Sequence, residues 1–344
     1  EECSATFIEP LITMPAKITV FIPVYNRQKY IAQTIQSVLD QSFKDFQLLL
    51  VDDGSTDNSV EIIRSFTDNR ITLVENGRNL GIPQTRNIGL EHAEGEYLAI
   101  LDSDDVMLKD RLKKQNTFLD THADYAGVGS WSRYIDDHGK IKKFIVMRPV
   151  SHKRIMASLI FQCAIHNRTF MARTDVLRQH GYNNDFLRCQ DYELLYRLAA
   201  SKQYKFHNLP EILVFGRKHD QQITSKTSTL GDQMKKSIAS QFLADLNVSY
   251  TDEDLANHIR LARNSGVDAD QSYIDWTEQW LHQLLHANAR AAIYNHMALQ
   301  QICFKIWLKV ISRKYSCATL QLVKRRIFNS SNKLALSYLK PPYY

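Results

Sequence analysis

Phe46-Gln47-Leu48-Leu49-Leu50-Val51-Asp52-Asp53-Gly54-Ser55 is the stretch on which a fold assignment turns. A nearly unbroken apolar run ends abruptly in two carboxylates, a glycine and a hydroxyl. A strand with one wet face would alternate polar and apolar residues; this one does not, which places it in a sheet covered on both sides. Working outward, the pattern recurs in Ile18–Val24, Ile71–Val74 and Tyr97–Leu101. Between these runs the spacing turns helical: Gln28–Asp40 through Ile31, Ile35, Val38 and Leu39, then Asp57 to Phe66, then Gly81–His92. Strands alternating with helices predict an α/β fold with a Rossmann-like, mostly parallel sheet. Such sheets bind ligands beyond the carboxyl ends of their strands, where the clusters Tyr25–Arg27, Asp52–Ser55 and Asp102–Asp105 fall.

The pattern changes after residue 105. Tyr125–Ile135 and Ile141–Met147 flank Asp136-Asp137-His138-Gly139-Lys140, a hairpin turn. Ser151–Phe161 and Gln190–Ala200 read as helices, Arg168–Met171 as a strand, and Tyr204–Leu209 and Ile212–Phe215 as two short strands around Pro210. Beyond about Thr227 the chain reads as helical. The expected organisation is a leader or tag over 1–17, with Met14 as a natural start, and a main domain over 18–226. That domain divides into halves over 18–105 and 106–226, which the family resemblance given below implies to be nucleotide-binding and acceptor halves, and a helical basic region follows over 227–344.

The whole chain has 344 residues, 44% hydrophobic and 23% charged, which fits a globular protein and excludes wholesale disorder. No apolar run approaches the roughly 18 residues a membrane-spanning helix needs. Five widely spaced cysteines without a CxxC pair argue against a disulfide framework or structural zinc and fit a reducing cytoplasm. From Gln279 onward there are ten basic residues and no acidic one, so a net charge of +6 leaves residues 1–278 at −4. Apolar residues interleave with those charges. The tail is expected either to dock on the anionic inner face of the cell membrane, as a peripheral contact, or to cap the main domain with a solvated basic face. Nucleic acid is not an expected partner.

Leu101-Asp102-Ser103-Asp104-Asp105 crowds three carboxylates into four residues after a buried strand. A divalent cation relieves such repulsion, and hard oxygen ligands suit Mg²⁺ or Mn²⁺ with substrate phosphates. The plainer alternative is an acidic loop in which Asp105 caps the helix near Lys109. A carboxylate at Asp52 or Asp53 can accept from a base imide or a ribose hydroxyl; the alternative is a turn that Asp57 converts into a helix cap.

Together Ile22-Pro23-Val24-Tyr25-Asn26, Val51–Ser55, Asn79-Leu80-Gly81, Arg86-Asn87, Gly95-Glu96-Tyr97 and Leu101–Asp105 closely resemble the family 2 glycosyltransferases, which have the GT-A fold. The likeness spans about residues 17–225, with no counterpart in the C-terminal third. It implies an inverting, metal-dependent enzyme that moves a sugar from a nucleotide-sugar donor, UDP-linked by family expectation, to a glycan or lipid-linked saccharide. The setting implied is cell-surface polysaccharide such as lipopolysaccharide or capsule. By this resemblance Pro23, Val24 and Tyr25 line the base pocket, Tyr25 stacking on the base. Asp53 accepts from uracil, with Asp52 beside it, and Arg86 reaches the nucleotide. Asp102 and Ser103 contact ribose and sugar, and Asp104 holds Mn²⁺ or Mg²⁺. Asp191, in Cys189-Gln190-Asp191-Tyr192-Glu193, is the implied general base, with Gln190 where the family usually has Glu and Glu193 as a fallback. In Phe215-Gly216-Arg217-Lys218-His219, with Ser225 beyond, Arg217 is an implied phosphate contact and His219 a metal ligand or pyrophosphate donor. Trp131, Tyr134, His166 and Arg168 are candidates to line the acceptor cleft. Alternative readings are a nucleotidyltransferase, which lacks the expected Gly-rich basic loop, and a non-catalytic glycan-binding or scaffold subunit on the same fold.

Overall fold

The structure is a computed structural model that describes residues 16–219, 229–262 and 270–314. Nearly all of the expected leader with Met14, the boundary at 226, Ser225 and residues 315–344 lie outside the described residues. The four apolar runs are strands β1 (Ile18–Val24), β2 (Phe46–Asp52), β3 (Ile71–Glu75) and β4 (Tyr97–Ile100), paired parallel in the order β3-β2-β1-β4. Their lack of alternation has the expected cause. Phe21, Leu49, Val51, Leu98 and Ile100 enter one apolar cluster, and Val20, Ile22, Leu48, Leu50 and Ala99 enter another. Helices α1 (Ile31–Leu39), α2 (Ser59–Arg64) and α3 (Ile82–His92) connect the strands.

β5 (Val106–Met107), α4 (Arg111–Thr121), β6 (Tyr125–Ile135) and β7 (Ile141–Val146) follow, the last two forming the expected hairpin. Next come α5 (His152–Leu159), β8 (Met171–Arg173), α6 (Thr174–His180), α7 (Gln190–Ala200) and β9 (Lys205–Arg217). The sheet continues β4-β8-β6-β9-β5, with β8 antiparallel to both neighbours and β7 on β6. Two expectations are corrected. Arg168 lies in a short 3-10 turn over Asn167–Thr169, with the strand starting at Met171. The two strands around Pro210 are one: β9 runs through it, and its register on β6 jumps from Leu209 opposite Ser130 to Ile212 opposite Trp131. Proline cannot donate to the ladder, and this bulge removes the need.

The turn after β2 explains its glycine. Asp52 Oδ2 accepts from the amides of Gly54 (3.1 Å) and Ser55 (2.9 Å). Gly54 has φ +73°, and a Cβ there would stand 2.5 Å from the Arg78 carbonyl carbon. No other residue fits.

Helices α8 (Thr229–Asp245), α9 (Asp252–Leu261), α10 (Gln271–Ala291) and α11 (His296–Lys314) pack on the body. One apolar cluster runs from Phe21 and Leu159 through Phe242 and Trp280 to Ile311. His258 of α9 pins them polar-wise. Trp280 Nε1 donates to its Nδ1 at 3.0 Å, so Nε2 carries the proton donated to the Ile160 carbonyl at 2.9 Å. Burial drives this imidazole down to about 4. The unfolded chain therefore takes up the proton first as the pH falls. Stability is expected to drop between about pH 6.5 and 4, by about 3 kcal/mol for this group. Urea midpoints across that window should show the loss, and His258→Gln should flatten it.

Candidate active site

The acidic loop after β4 divides its carboxylates between structure and solvent. Asp105 points inward and is fully buried. Arg168 Nη1 stands 2.8 Å from its carboxylate, and the Arg217 amide donates to Oδ1 at 2.8 Å. Thr34 Oγ1 donates to the carbonyls of Asp105 (2.8 Å) and Ser103 (3.1 Å). Asp105 therefore does not cap the following helix, which begins only at Arg111. Below the loop, fully buried Arg111 donates to the carbonyls of Ile100 and Arg168 at 2.9 Å each. Burial opposes the charge of Arg168, but the carboxylates of Asp105, Asp102 and Asp104 raise its pKa above the ordinary range. Gly216 makes room for this guanidinium, which a Cβ would approach to 2.3 Å.

Asp104 Oδ2 lies 2.8 Å from His219 Nε2 and 3.9 Å from Arg27 Nε. Burial works against its charge, yet the His219 hydrogen bond and the charges of Arg168 and Arg27 hold its carboxyl below the usual range. The His219 ring leans on Tyr30 at 4.7 Å, and its Nδ1 is buried without a hydrogen-bond partner among the described residues. Asp102 keeps a third of its side chain exposed, 4.0 Å from Arg168 Nε. Burial raises its carboxyl; Arg168 opposes that, and the charges of Asp104 and Asp191 add to it. Ser103 is buried beside them.

At the end of β2 the two carboxylates have different surroundings. Asp53 accepts from the amides of Leu80 (2.8 Å) and Gly81 (3.0 Å) and from Asn76 Nδ2 (3.1 Å), so the loop before α3 takes up both its oxygens. Asp52 Oδ1 is buried with no partner. Tyr25 is 42% exposed and Pro23 half-buried, but Val24 is core; its carbonyl accepts from the Asp53 amide at 2.8 Å. Arg86 is buried with its guanidinium over the Tyr182 ring at 5.2 Å, and Nε and Nη1 have no hydrogen-bond partner among the described residues. No ion pair joins it to Asp102 or Asp104.

Arg217 departs from its expected role as a phosphate contact. Its buried guanidinium donates to the carbonyls of Asp104 (2.9 Å) and Asp136 (3.1 Å) and to Gln33 Oε1 (2.5 Å). It fastens the β6–β7 turn to the acidic loop.

Across the cleft, Asp191 sits in the first turn of α7, after Cys189, whose φ of 58° is strained for a non-glycine residue. Its Oδ1 accepts from the Tyr192 amide at 2.9 Å and its Oδ2 lies 3.7 Å from Cys163 Sγ. Asp191 lines a small pocket with Ile165, Asn167, Phe170 and Tyr182. Gln190 donates to the Leu187 carbonyl at 3.0 Å. Glu193 is unsuited as a base: it is buried and held by Arg197 at 2.6 and 3.0 Å. Of the acceptor-side candidates, Arg168 is bound to Asp105, and Trp131 Nε1 donates to the Arg148 carbonyl at 3.0 Å. Tyr134 lies under Lys218 at 4.3 Å, and His166 accepts from Arg148. Sequence reasoning missed Arg111 and the pairing of Arg168. Arg27, in the flagged Tyr25–Arg27 cluster, carried the one signal available.

The model of "Glycosyl transferase family 2" matches residues 19–181. The uncharacterized glycosyltransferase MJ1057 of Methanocaldococcus jannaschii is 32% identical over 57% of this chain and 69% of its own length. An uncharacterized glycosyltransferase of Haemophilus influenzae is 30% identical over 60% of this chain and 67% of its own. Among solved structures, S. aureus TarS residues 1–349 with UDP-GlcNAc superposes with a TM-score of 0.53 at 19% identity, covering 86% of this chain and 91% of that one. The mannosyltransferase PcManGT of Pyrobaculum calidifontis with GDP-Man and Mn²⁺ gives 0.50 at 16% identity, covering 96% and 86%.

The buried pair makes a direct prediction. Arg168→Met leaves Asp105 without its cation and is expected to cost about 3–5 kcal/mol in urea unfolding. Adding Asp105→Asn should restore part of that loss, since the stranded charge is then gone.

Proposed function

The chain belongs to the family 2 glycosyltransferases, and from that premise we propose that it is an inverting enzyme using a nucleotide-sugar donor. The acceptor hydroxyl belongs to a glycan or lipid-linked saccharide of the cell surface. The observation that supports this most is the convergence of two acidic elements on one cleft: Asp102 and Asp104 after β4, and Asp191 at the start of α7, with Asp102 sensing the charge of Asp191. Arg86 is buried with no carboxylate at ion-pair distance among the described residues, although its charge reaches Asp102, and it is the complement of a donor diphosphate. Asp52 Oδ1, without a hydrogen-bond partner among the described residues, is assigned to the base imide or ribose in place of Asp53. Tyr25 stacks on the base, and Asp102 and Ser103 face the ribose and sugar.

Asp104 Oδ2 and His219 Nε2 form a two-donor set, fewer than the three protein ligands of a self-sufficient site; among the described residues no such group of three occurs. The pair fits Mg²⁺ or Mn²⁺ completed by phosphate oxygens and water. When bound, the ion would neutralise charge on the departing diphosphate. The chain does the rest. Asp191 takes the acceptor proton as the hydroxyl oxygen attacks the anomeric carbon, and the bond from that carbon to the diphosphate breaks on the opposite face. One displacement inverts the configuration.

No described helix is long and apolar enough to cross a membrane. Five of the ten tail cations lie in 315–344, and contact of the enzyme with the inner membrane face remains part of this proposal. Lys309 does not belong to a solvated face, since its Nζ donates to the Ala262 carbonyl at 3.1 Å.

Asp191→Asn is expected to lower kcat about 10²–10⁴-fold with donor affinity unchanged. Donor transfer assays and calorimetry with UDP- and GDP-sugars plus Mn²⁺ read both quantities; a variant with near-normal turnover would overturn the assignment. Arg86→Met should instead weaken donor binding while changing the unfolding free energy by only about 1 kcal/mol, because no carboxylate stands at ion-pair distance from it among the described residues.

A further inference from the structure

Four basic side chains gather on the acceptor side of Asp191 with no carboxylate among them. Arg148, just after β7, donates from Nε to His166 Nε2 at 2.9 Å and from Nη1 to Gln162 Oε1 at 3.2 Å. Both partners are neutral, since burial and then the charges of Arg148 and Arg168 drive His166 well below its ordinary pKa. Arg154 of α5 donates from Nε to Gln301 Oε1 on α11 at 2.9 Å. Lys305 and Lys309 follow Gln301 at four-residue steps, so the three share one face of α11, about 6 Å apart along the axis.

Several cations elsewhere in the chain meet carboxylates, as at Lys17, Lys29, Arg64, Lys114 and Lys205. Among the described residues, Arg148, Arg154, Lys305 and Lys309 have no acidic partner within ion-pair distance. Crowding has a visible effect. Burial, then Arg313 and Arg148, lowers Lys309 to about 8, and burial and Arg154 lower Lys305. The cluster begins close to the chemistry, because Gln162 and His166, both held by Arg148, flank Cys163, whose sulfur is 3.7 Å from Asp191 Oδ2. Met147, the residue before Arg148, is 63% exposed, and Phe144 in β7 is 79% exposed.

We propose that Arg148, Arg154, Lys305 and Lys309 form a subsite for a phosphate or diphosphate carried by the acceptor, which makes the acceptor anionic. This rests on Asp191 marking the acceptor side. Unpaired cations at a cleft invite a multivalent anion as crowded carboxylates invite a cation. Phosphate on a lipid chain and phosphate within a glycan share this chemistry; exposed Met147, next to Arg148 in sequence, and Phe144 of β7 suit the lipid.

The test is equilibrium binding to the full chain, by calorimetry in low salt with UDP or GDP saturating the donor side. The probes are farnesyl diphosphate, inorganic pyrophosphate and farnesol. Both diphosphates are expected to bind and farnesol not to. Lys305→Gln and Lys309→Gln should each weaken diphosphate binding about fivefold. Exposed Lys305 keeps the test clear of folding defects. Farnesyl diphosphate binding well above pyrophosphate marks a lipid-linked acceptor, whereas equal binding marks a phosphorylated glycan. Displacement of the probes by nucleotide, or binding unaltered in both lysine variants, would overturn the proposal. No sugar is transferred in this measurement, so diphosphate binding by a chain without transferase turnover would sink the proposed function and leave the subsite standing.

Discussion

The buried carboxylate of Asp105 holds the architecture of the site together. It receives Arg168 from the turn before β8 and the Arg217 amide from the end of β9, so one side chain joins the parallel half of the sheet to the mixed half. A buried ion pair gains little over an apolar core, because desolvation of both charges offsets most of their attraction. What it supplies is register. An apolar contact tolerates sliding, whereas a fork of nitrogens on a carboxylate does not. Arg111 strengthens this by gathering the carbonyls of Ile100, Arg168 and Phe170, three loose chain ends that meet under the cleft.

With Asp105 withdrawn into the core, the remaining acidic residues of the loop have different surroundings. Asp104 is kept charged by His219, Arg168 and Arg27, while Asp102 is pushed toward its neutral form by burial and like charges. Residues two apart thus have opposite protonation tendencies; Arg168 favours the charged form of both, and the difference comes from His219 and Arg27, which act on Asp104. The same sorting occurs after β2, where Asp53 ties down the loop and Asp52 keeps an oxygen unpartnered.

Much of the parallel half was legible in the sequence because local signals and tertiary demand agree there. Doubly buried strands must be apolar throughout, and Phe46–Val51 can be little else. Asp191 and His219 were singled out through motif order, and the structure sets His219 2.8 Å from Asp104. Legibility failed where one residue type serves two ends. An aspartate in a turn looks the same whether it faces solvent, as Asp102 partly does, or anchors a core, as Asp105 and Asp53 do. An arginine after a strand, like Arg217, reads as a phosphate contact until the carbonyls of Asp104 and Asp136 are seen around it. The fused strand β9 escaped because Pro210 is a strand breaker everywhere except at a bulge, and the bulge is set by β6, some 80 residues away in sequence.

The region matched by the family model, 19–181, contains the proposed donor residues and stops short of Asp191. Asp191, His219 and the α11 lysines all come from later in the chain, and the apolar cluster runs unbroken from β1 to α11. The C-terminal helices are therefore part of the catalytic body's core, fastened by His258 to the Ile160 carbonyl, and they are not an appended tail. A core that continuous makes α11 a rigid wall. Cations mounted on a rigid wall keep their spacing when solvent is displaced, so their repulsion is built in during folding and relieved on binding. The family model ends before these helices, and on the proposed reading it is they that would govern the choice of acceptor.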